Sequence, residues 1–177
     1  MDPNKIVFGT CDGTGADINV CLGFKPAYVK LLNLEDGGSL FPSLEFWAAM
    51  TAITAFAEGI KELTGTTYRQ ISGLTTTGIR AYAGGTKLQW SKAHGHWVVV
   101  GDLSLADVSE VYVDGKYQRK ASTDAAYKNA ATAILGHTPT DADDGAIVTM
   151  EEGFTIDGGS DADINVDTEQ LIWMAIG

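Results

Sequence analysis

The sequence has little cysteine, little proline, no long apolar run and few basic residues. Of 177 residues, two are cysteine and four are proline. Two cysteines are too few for a disulfide framework, so we interpret Cys11 and Cys21 as small apolar thiols of a protein made in a reducing compartment. No stretch approaches the ~18 apolar residues of a membrane-spanning helix, and the first residues lack the apolar region of a signal peptide. We therefore expect neither secretion nor membrane insertion.

The shortage of basic residues bears on the choice of partner. Twelve Lys and Arg stand against 23 Asp and Glu, which leaves a formal net charge of −11. Binding to a phosphate backbone needs clustered basic side chains, and the single short basic cluster spans residues 116–120. We expect no nucleic-acid partner. The acidity favours solubility, and charge complementarity to a basic partner is the alternative interpretation.

Glycine is abundant, with 21 residues, and this indicates many tight turns. Gly-rich turns with little proline favour a β-rich class. We predict a single, mainly β domain over residues 1–177, of the β-sandwich or jelly-roll-like kind. Residues 86–137 are interpreted as an insertion with one hairpin, whose turn is Asp114-Gly115, and one helix over residues 125–135.

Apolar alternation predicts most of the strands, and one segment gives mixed signals. Phe46, Met50 and Ile53 fall near helical spacing, which favours a helix over residues 43–63. β-branched residues and the interruption at Gly59 leave short strands open as the alternative. The predicted strands cover residues 6–11, 27–34, 88–102, 146–150, 153–156 and 170–176.

The phrase Ala-Asp-Ile-Asn-Val occurs twice, at residues 16–20 and 162–166. Each copy follows a Gly/Asp stretch and an apolar lead-in, which is typical of strand, turn and return strand. We predict that each copy begins a return strand, so that two similar hairpin-like units frame one β domain.

Groups of residues that could support chemistry are incomplete. His94 and His96 lack a third metal ligand, and the chain has neither a nucleophile elbow nor a phosphate-binding loop. Neither acidic segment has the spacing of an EF-hand, so solvated turns are the favoured interpretation over calcium ligands. We predict no catalytic, cofactor or metal residues and no enzyme activity. The acidic residues considered are Asp141, Asp143, Asp144, Asp157, Asp161 and Asp163.

Large aromatic residues are the candidates for contacts with a partner or with further copies of the chain. Trp173 lies in the apolar end of the chain, which we expect to be built into the core or an interface. Trp47 and its neighbour Phe46 are the other two candidate contact residues.

Both ends of the chain resemble a group of bacteriophage structural proteins. The resemblance rests on Gly9–Gly15 leading to Leu22-Gly23-Phe24-Lys25-Pro26-Ala27-Tyr28-Val29-Lys30, and on Gly153-Phe154-Thr155-Ile156 with Trp173-Met174-Ala175. It reaches weakly into residues 78–84 and does not cover residues 86–137. These are strand and hairpin motifs without catalytic content.

The resemblance implies a virion protein that is made in the host cytoplasm. Its expected role is that of a capsid decoration (cement) protein, which binds the major capsid protein on the outer shell and bridges capsid subunits. We expect self-association into a symmetric oligomer, with a trimer as one option, and no membrane partner. The alternative is a receptor-binding or glycan-binding domain of a tail fibre or spike.

Overall fold

The computed structural model describes most of the two ends of the chain and parts of its middle. The described residues are 5–13, 15, 17–34, 42–64, 69–75, 78–85, 87–92, 96–99, 110–113, 116–118, 140–158, 164–166 and 169–177. They form a mainly β structure of antiparallel sheets, with one parallel pair of strands, Ile18–Cys21 and Glu110–Val113. The predicted β-sandwich-like class is confirmed. None of the helices in these residues is long and apolar enough to cross a membrane.

The strands fall into three sheets. One has six strands in the order β1-β14-β3-β4-β5-β6, one has five in the order β11-β10-β2-β13-β7, and one has three in the order β12-β8-β9. The strands are β1 (Ile6–Asp12), β2 (Ile18–Cys21), β3 (Tyr28–Asn33), β4 (Ser43–Trp47), β5 (Gly59–Thr64), β6 (Arg69–Leu74), β7 (Ile79–Tyr82), β8 (Lys87–Ser91), β9 (His96–Val99), β10 (Glu110–Val113), β11 (Lys116–Gln118), β12 (Ile147–Thr149), β13 (Gly153–Ile156) and β14 (Gln170–Ile176).

The main core unites the six-stranded and the five-stranded sheets. On β2, β3 and β14 alternate side chains are buried in this core, as the period of two in a strand requires, whereas all four residues of β13 are buried. Trp173 on β14 meets Phe154 on β13 edge to face, with ring centroids 5.5 Å apart. Gly9 lies opposite Trp173 in the register of β1 and β14, and a Cβ there would overlap the indole ring. The fully buried large side chains include Ile18, Leu31, Leu44, Phe46, Ile79, Ile156 and Leu171.

Two crossing segments carry the chain from one sheet to the other at the same end of the sandwich. The first joins β1 to β2 and the second joins β13 to β14, and they lie side by side. The backbone N–H of Gly13 donates to the carbonyl of Glu169 (2.6 Å), and that of Gly15 donates to Asn165 (3.1 Å). The strands that these segments join are also neighbours: β1 pairs with β14 within the six-stranded sheet, and β2 pairs with β13 within the five-stranded sheet.

The prediction of two hairpin-like units is wrong, although the two repeats do lie close together. The first copy enters β2 at Ile18, but residues 164–166 of the second copy form a turn. There Ile164 and Asn165 are both buried, and the Asn165 amide donates to the carbonyl of Asp157 (3.3 Å). Residues 164–166 therefore lie at the end of the core as a turn and not in a strand.

The predicted helix over residues 43–63 is also wrong. This segment consists of β4, 3-10 turns at Ala48–Met50 and Thr54–Phe56, and β5. Pairing of β4 with β3 overrides the helical spacing, since it buries Leu44 and Phe46 on one side of the strand. The alternative of short strands was the correct one.

The predicted strand over residues 88–102 is two strands, because Trp90 of β8 pairs with Trp97 of β9. The Asp-Gly hairpin is confirmed by the pairing of Val113 in β10 with Lys116 in β11. The helix predicted over residues 125–135 lies outside the described residues. Within residues 86–137, β10 extends the five-stranded sheet beside β2, while β8 and β9 form a third sheet with β12.

Candidate binding face

The six-stranded sheet has a second face, which points away from the core and which we call the outer face. On β3, the residues Val29, Leu31 and Asn33 are buried in the core, whereas the alternate residues are only half-buried. The outer face consists of Ile6, Phe8, Thr10 and Asp12 on β1, Gln170, Ile172, Met174 and Ile176 on β14, Tyr28, Lys30 and Leu32 on β3, and Ser43, Glu45 and Trp47 on β4.

The register places these side chains in rows across the strands, where cross-strand neighbours can interact. One row is apolar and aromatic throughout, a second contains a lysine and a glutamate, and a third is apolar apart from a threonine and a serine; Asp12 and Gln170 form a polar pair at its border. The rows are Ile6, Ile176, Tyr28 and Trp47; Phe8, Met174, Lys30 and Glu45; and Thr10, Ile172, Leu32 and Ser43.

The outer face holds three of the five large apolar side chains that are exposed among the described residues. Phe8 is 69% exposed, Ile6 is 56% exposed and Trp47 is 43% exposed. Ile53 and Ile147 are exposed elsewhere on the surface. Large apolar side chains that gather on one face, rather than being scattered, are typical of interaction surfaces.

One end of the outer face is an aromatic and charged cluster. The rings of Tyr28 and Trp47 are tilted at 56° with centroids 4.3 Å apart, and Lys30 Nζ lies 3.0 Å from Glu45 Oε1. Partial burial, together with the charge of Glu45 and a hydrogen bond to it, raises the pKa of Tyr28 to about 12. The phenol is therefore neutral at physiological pH. The charges of Lys30 and Glu45 cancel, so the three rows carry no net charge on a chain of net charge −11, and the carboxylates of Asp12 and Glu62 lie at their border.

A shallow depression lies beside this cluster, over β4 and β5. It has a volume of about 230 Å³ and is lined by Ser43, Glu45, Ile60 and Glu62. Its two carboxylates and the serine hydroxyl form a small polar region next to the apolar rows.

A second polar cluster joins the two crossing segments. The guanidinium of Arg80 on β7 forms ion pairs with Asp17 and Asp157, one from each segment, and Asp17 also accepts the N–H of Gly158 (2.9 Å). Burial lowers the pKa of Arg80, but the surrounding carboxylates raise it by more, so the guanidinium stays charged. This cluster holds the end of the sandwich together.

The acidic residues considered as calcium ligands have other partners where they are described. Asp141 pairs with Lys92 (2.6 Å), Asp144 accepts the N–H of Lys92 (2.9 Å), and Asp143 caps the short 3-10 turn through Thr140. Within the described ranges, no group of three or more His, Cys, Asp or Glu could hold a metal ion. Asp161, Asp163 and His94 lie outside these ranges.

The three candidate contact residues are divided between the core and the surface. Phe46 and Trp173 are 1% and 2% exposed and lie in the core, whereas Trp47 lies on the outer face. Neighbours along a strand point to opposite faces, so Phe46 and Trp47 cannot share an environment. Sequence reasoning missed Phe8 and Ile6, although their two-residue spacing in a predicted strand was a usable signal.

Neither cysteine forms a disulfide within the described part of the chain, and Cys11 is buried. Burial, with the nearby charge of Glu151, raises the pKa of Cys21 to about 12. Both observations agree with the interpretation of the cysteines as small apolar residues.

Comparison with family models, with curated proteins and with solved structures finds no match for this chain.

Proposed function

We propose that this chain is a bacteriophage capsid decoration protein that binds the outer surface of the capsid and stabilises the shell by bridging capsid subunits. The proposal combines the resemblance of the two chain ends with one structural observation, the exposed apolar outer face. A decoration protein must be folded and soluble before it binds, and must then bury surface on the shell. A largely apolar sheet face on an acidic domain fits both requirements.

The outer face also suits a rigid attachment. Its side chains project from four hydrogen-bonded strands, so they are held in fixed rows and lose little freedom when a partner covers them. Met174 and the two aromatic residues Tyr28 and Trp47 are of types that are enriched at interfaces. The partner we propose is the major capsid protein, and the site of action is the virion.

The test uses the full chain and shells assembled from the major capsid protein encoded with it. We expect the protein to sediment with the shells at a saturating ratio to capsid subunits, and to raise the temperature at which the shells come apart. Mass spectrometry of virions should find a copy number that scales with the number of capsid subunits. A protein that neither sediments with the shells nor alters their stability would refute the proposal.

A second candidate function is recognition of a host glycan or receptor by a tail fibre or spike. The observation that favours it is the Tyr28–Trp47 pair beside Lys30 and Glu45, because aromatic rings next to polar groups can stack on a sugar and bond its hydroxyls. Binding of the isolated chain to host cells, at a few copies per virion and without an effect on shells, would select this function.

A further inference from the structure

The strand β1 is an edge of the six-stranded sheet within the described part of the chain. The direction of the backbone groups of β1 follows from two hydrogen bonds at the two ends of its ladder with β14. Gly177 N–H donates to the carbonyl of Lys5 (2.9 Å), and Gly13 N–H donates to that of Glu169 (2.6 Å). In an antiparallel ladder, hydrogen-bonded pairs alternate with non-bonded pairs, so the odd-numbered residues of β1 bond to β14. Ile6, Phe8 and Thr10 therefore point their N–H and C=O groups away from the sheet.

This edge lacks the features that usually prevent edge pairing. From Ile6 to Cys11 the strand has neither charged side chains nor proline, and its register with β14 runs without a bulge over Ile6–Asp12. Natural edge strands are protected by lysine, proline, bulges or shortness. Instead, β1 carries Phe8 and Ile6, the first at 69% and the second at 56% exposure.

We propose that β1 is a self-association edge, which pairs antiparallel with β1 of a second copy about a two-fold axis at Phe8. This proposal does not depend on the proposed function. The pairing places Phe8 opposite Phe8 of the second copy, Ile6 opposite its Thr10, and Thr10 opposite its Ile6. Each of these three pairs exchanges two backbone hydrogen bonds, so the interface gains about six hydrogen bonds. The two six-stranded sheets become one continuous sheet.

The charges at the ends of β1 favour a second copy over an unrelated strand. Lys5 precedes the strand, and its Nζ is held over the ring of Phe24 at 5.4 Å from the centroid. Asp12 ends the strand. With Phe8 on the two-fold axis, Lys5 lies opposite Cys11 of the second copy and one residue from its Asp12, so unlike rather than like charges come near each other at both ends of the paired strands, on opposite faces of the sheet. Two chains of net charge −11 can therefore approach here, where the strand between these ends is uncharged.

A two-fold interface of this kind uses the same surface on both copies and closes as a dimer. It also places two outer faces next to each other on one sheet. Attachment through both faces at once would be stronger than through one, because the second contact forms at a high effective concentration.

The test is the mass of the full chain in solution, measured by light scattering and sedimentation velocity from about 1 µM to about 100 µM. We expect a reversible shift from monomer to dimer. Phe8→Lys places like charges opposite each other. Thr10→Pro removes an outward N–H and leaves the bonds to β14 in place. Each should raise the dimer Kd at least about tenfold. The control is Ile147→Lys, which makes the same kind of change on β12 and should leave the Kd unchanged.

The register is tested by disulfide formation. Opposed residues of a hydrogen-bonded pair have Cα atoms about 5.5 Å apart, which is within the range of a disulfide. Under mild oxidation, Phe8→Cys should form a covalent dimer, and Ile6→Cys should not, since it faces Thr10 of the second copy. This assay also covers the case in which Phe8→Lys does not fold.

Three results would overturn the proposal. These are a monomer over the whole concentration range, a trimer, or a dimer that Phe8→Lys and Thr10→Pro leave intact while they remain folded by circular dichroism. Crosslinking of Phe8→Cys no faster than that of Ile6→Cys would also overturn the register. None of these measurements involves capsids, so they are independent of the test of capsid decoration.

Discussion

Truncation of Trp47 to alanine tests the outer face as the attachment surface. Trp47 is 43% exposed, and an aromatic side chain of this size buries up to about 250 Å² when it is fully covered. A partner on the outer face would therefore remove about 110 Å² of this side chain from water. At about 25 cal/mol per Å², this burial contributes about 2.7 kcal/mol.

The cost of association lowers the share of this energy that appears as affinity. We expect Trp47→Ala to weaken binding to capsid shells about tenfold to hundredfold per attachment site. The stability of the chain should change less. Trp47 is already part-exposed and packs against Tyr28, so the free energy of unfolding should fall by about 1 kcal/mol. For a chain of this size, that lowers the melting temperature by roughly 2–4 °C.

The assay is titration of the full chain into a fixed amount of capsid shells, followed by sedimentation and quantification of bound protein. Ile147→Ala is the matched control, because Ile147 is 56% exposed but lies on β12, away from the outer face. Equal affinities of the parent chain, Trp47→Ala and Ile147→Ala would refute the assignment of the outer face, even if the protein still binds shells through another surface.

Three further predictions concern the core and the titrating groups. Gly9→Ala should lower the free energy of unfolding by about 1–3 kcal/mol in a urea titration, because the new Cβ overlaps Trp173. The loss caused by Gly9→Ala should be smaller in a chain that also carries Trp173→Phe. Equal losses in the two backgrounds would contradict the packing argument. The raised pKa of Tyr28 stabilises the fold at pH values below about 10, and this contribution is lost as the pH rises towards about 12. Absorbance of tyrosinate should therefore show one late-titrating group that Tyr28→Phe removes, and an unchanged titration curve in the variant would count against the assignment. With its pKa raised from 9.0 to about 12, Cys21 should react with iodoacetamide at pH 8 about a thousandfold more slowly in the folded chain than in urea. Glu151→Gln should speed the reaction of the folded chain. Fast labelling of the folded parent chain would contradict the prediction, because the thiol would then be accessible and ionised.

Much of the fold could be predicted from local pattern. The strand over residues 170–176 and the Asp-Gly hairpin were predicted because the signal is contained within a few residues: apolar alternation for the first and turn chemistry for the second. The segment over residues 43–63 could not be resolved in this way. Its apolar spacing suits a helix and two short strands almost equally, and only the pairing of β4 with β3 decides between them.

In the candidate site, too, the sequence indicates which residues are candidates, and only the fold decides which of them are exposed. Trp47 was selected from sequence as a large aromatic residue, but so were Phe46 and Trp173, and only the placement of the second sheet shows which of them reach solvent. The exposure of Phe8 depends on β1 lying at an edge of its sheet. Edge position depends on strand order, which involves partners more than 150 residues apart in the chain, such as Ile6 and Ile176.

The sequence alone determines the class of this protein: its glycines, its alternating apolar residues and its net charge of −11 specify an acidic, mainly β chain. Tertiary structure decides how the two Ala-Asp-Ile-Asn-Val phrases are used, one as the start of a strand and the other as a buried turn beside it. It also decides that one face of the six-stranded sheet remains exposed. The physical reason is that a strand is completed by its neighbours, so identical residues adopt different structures when different partners are available to pair with them.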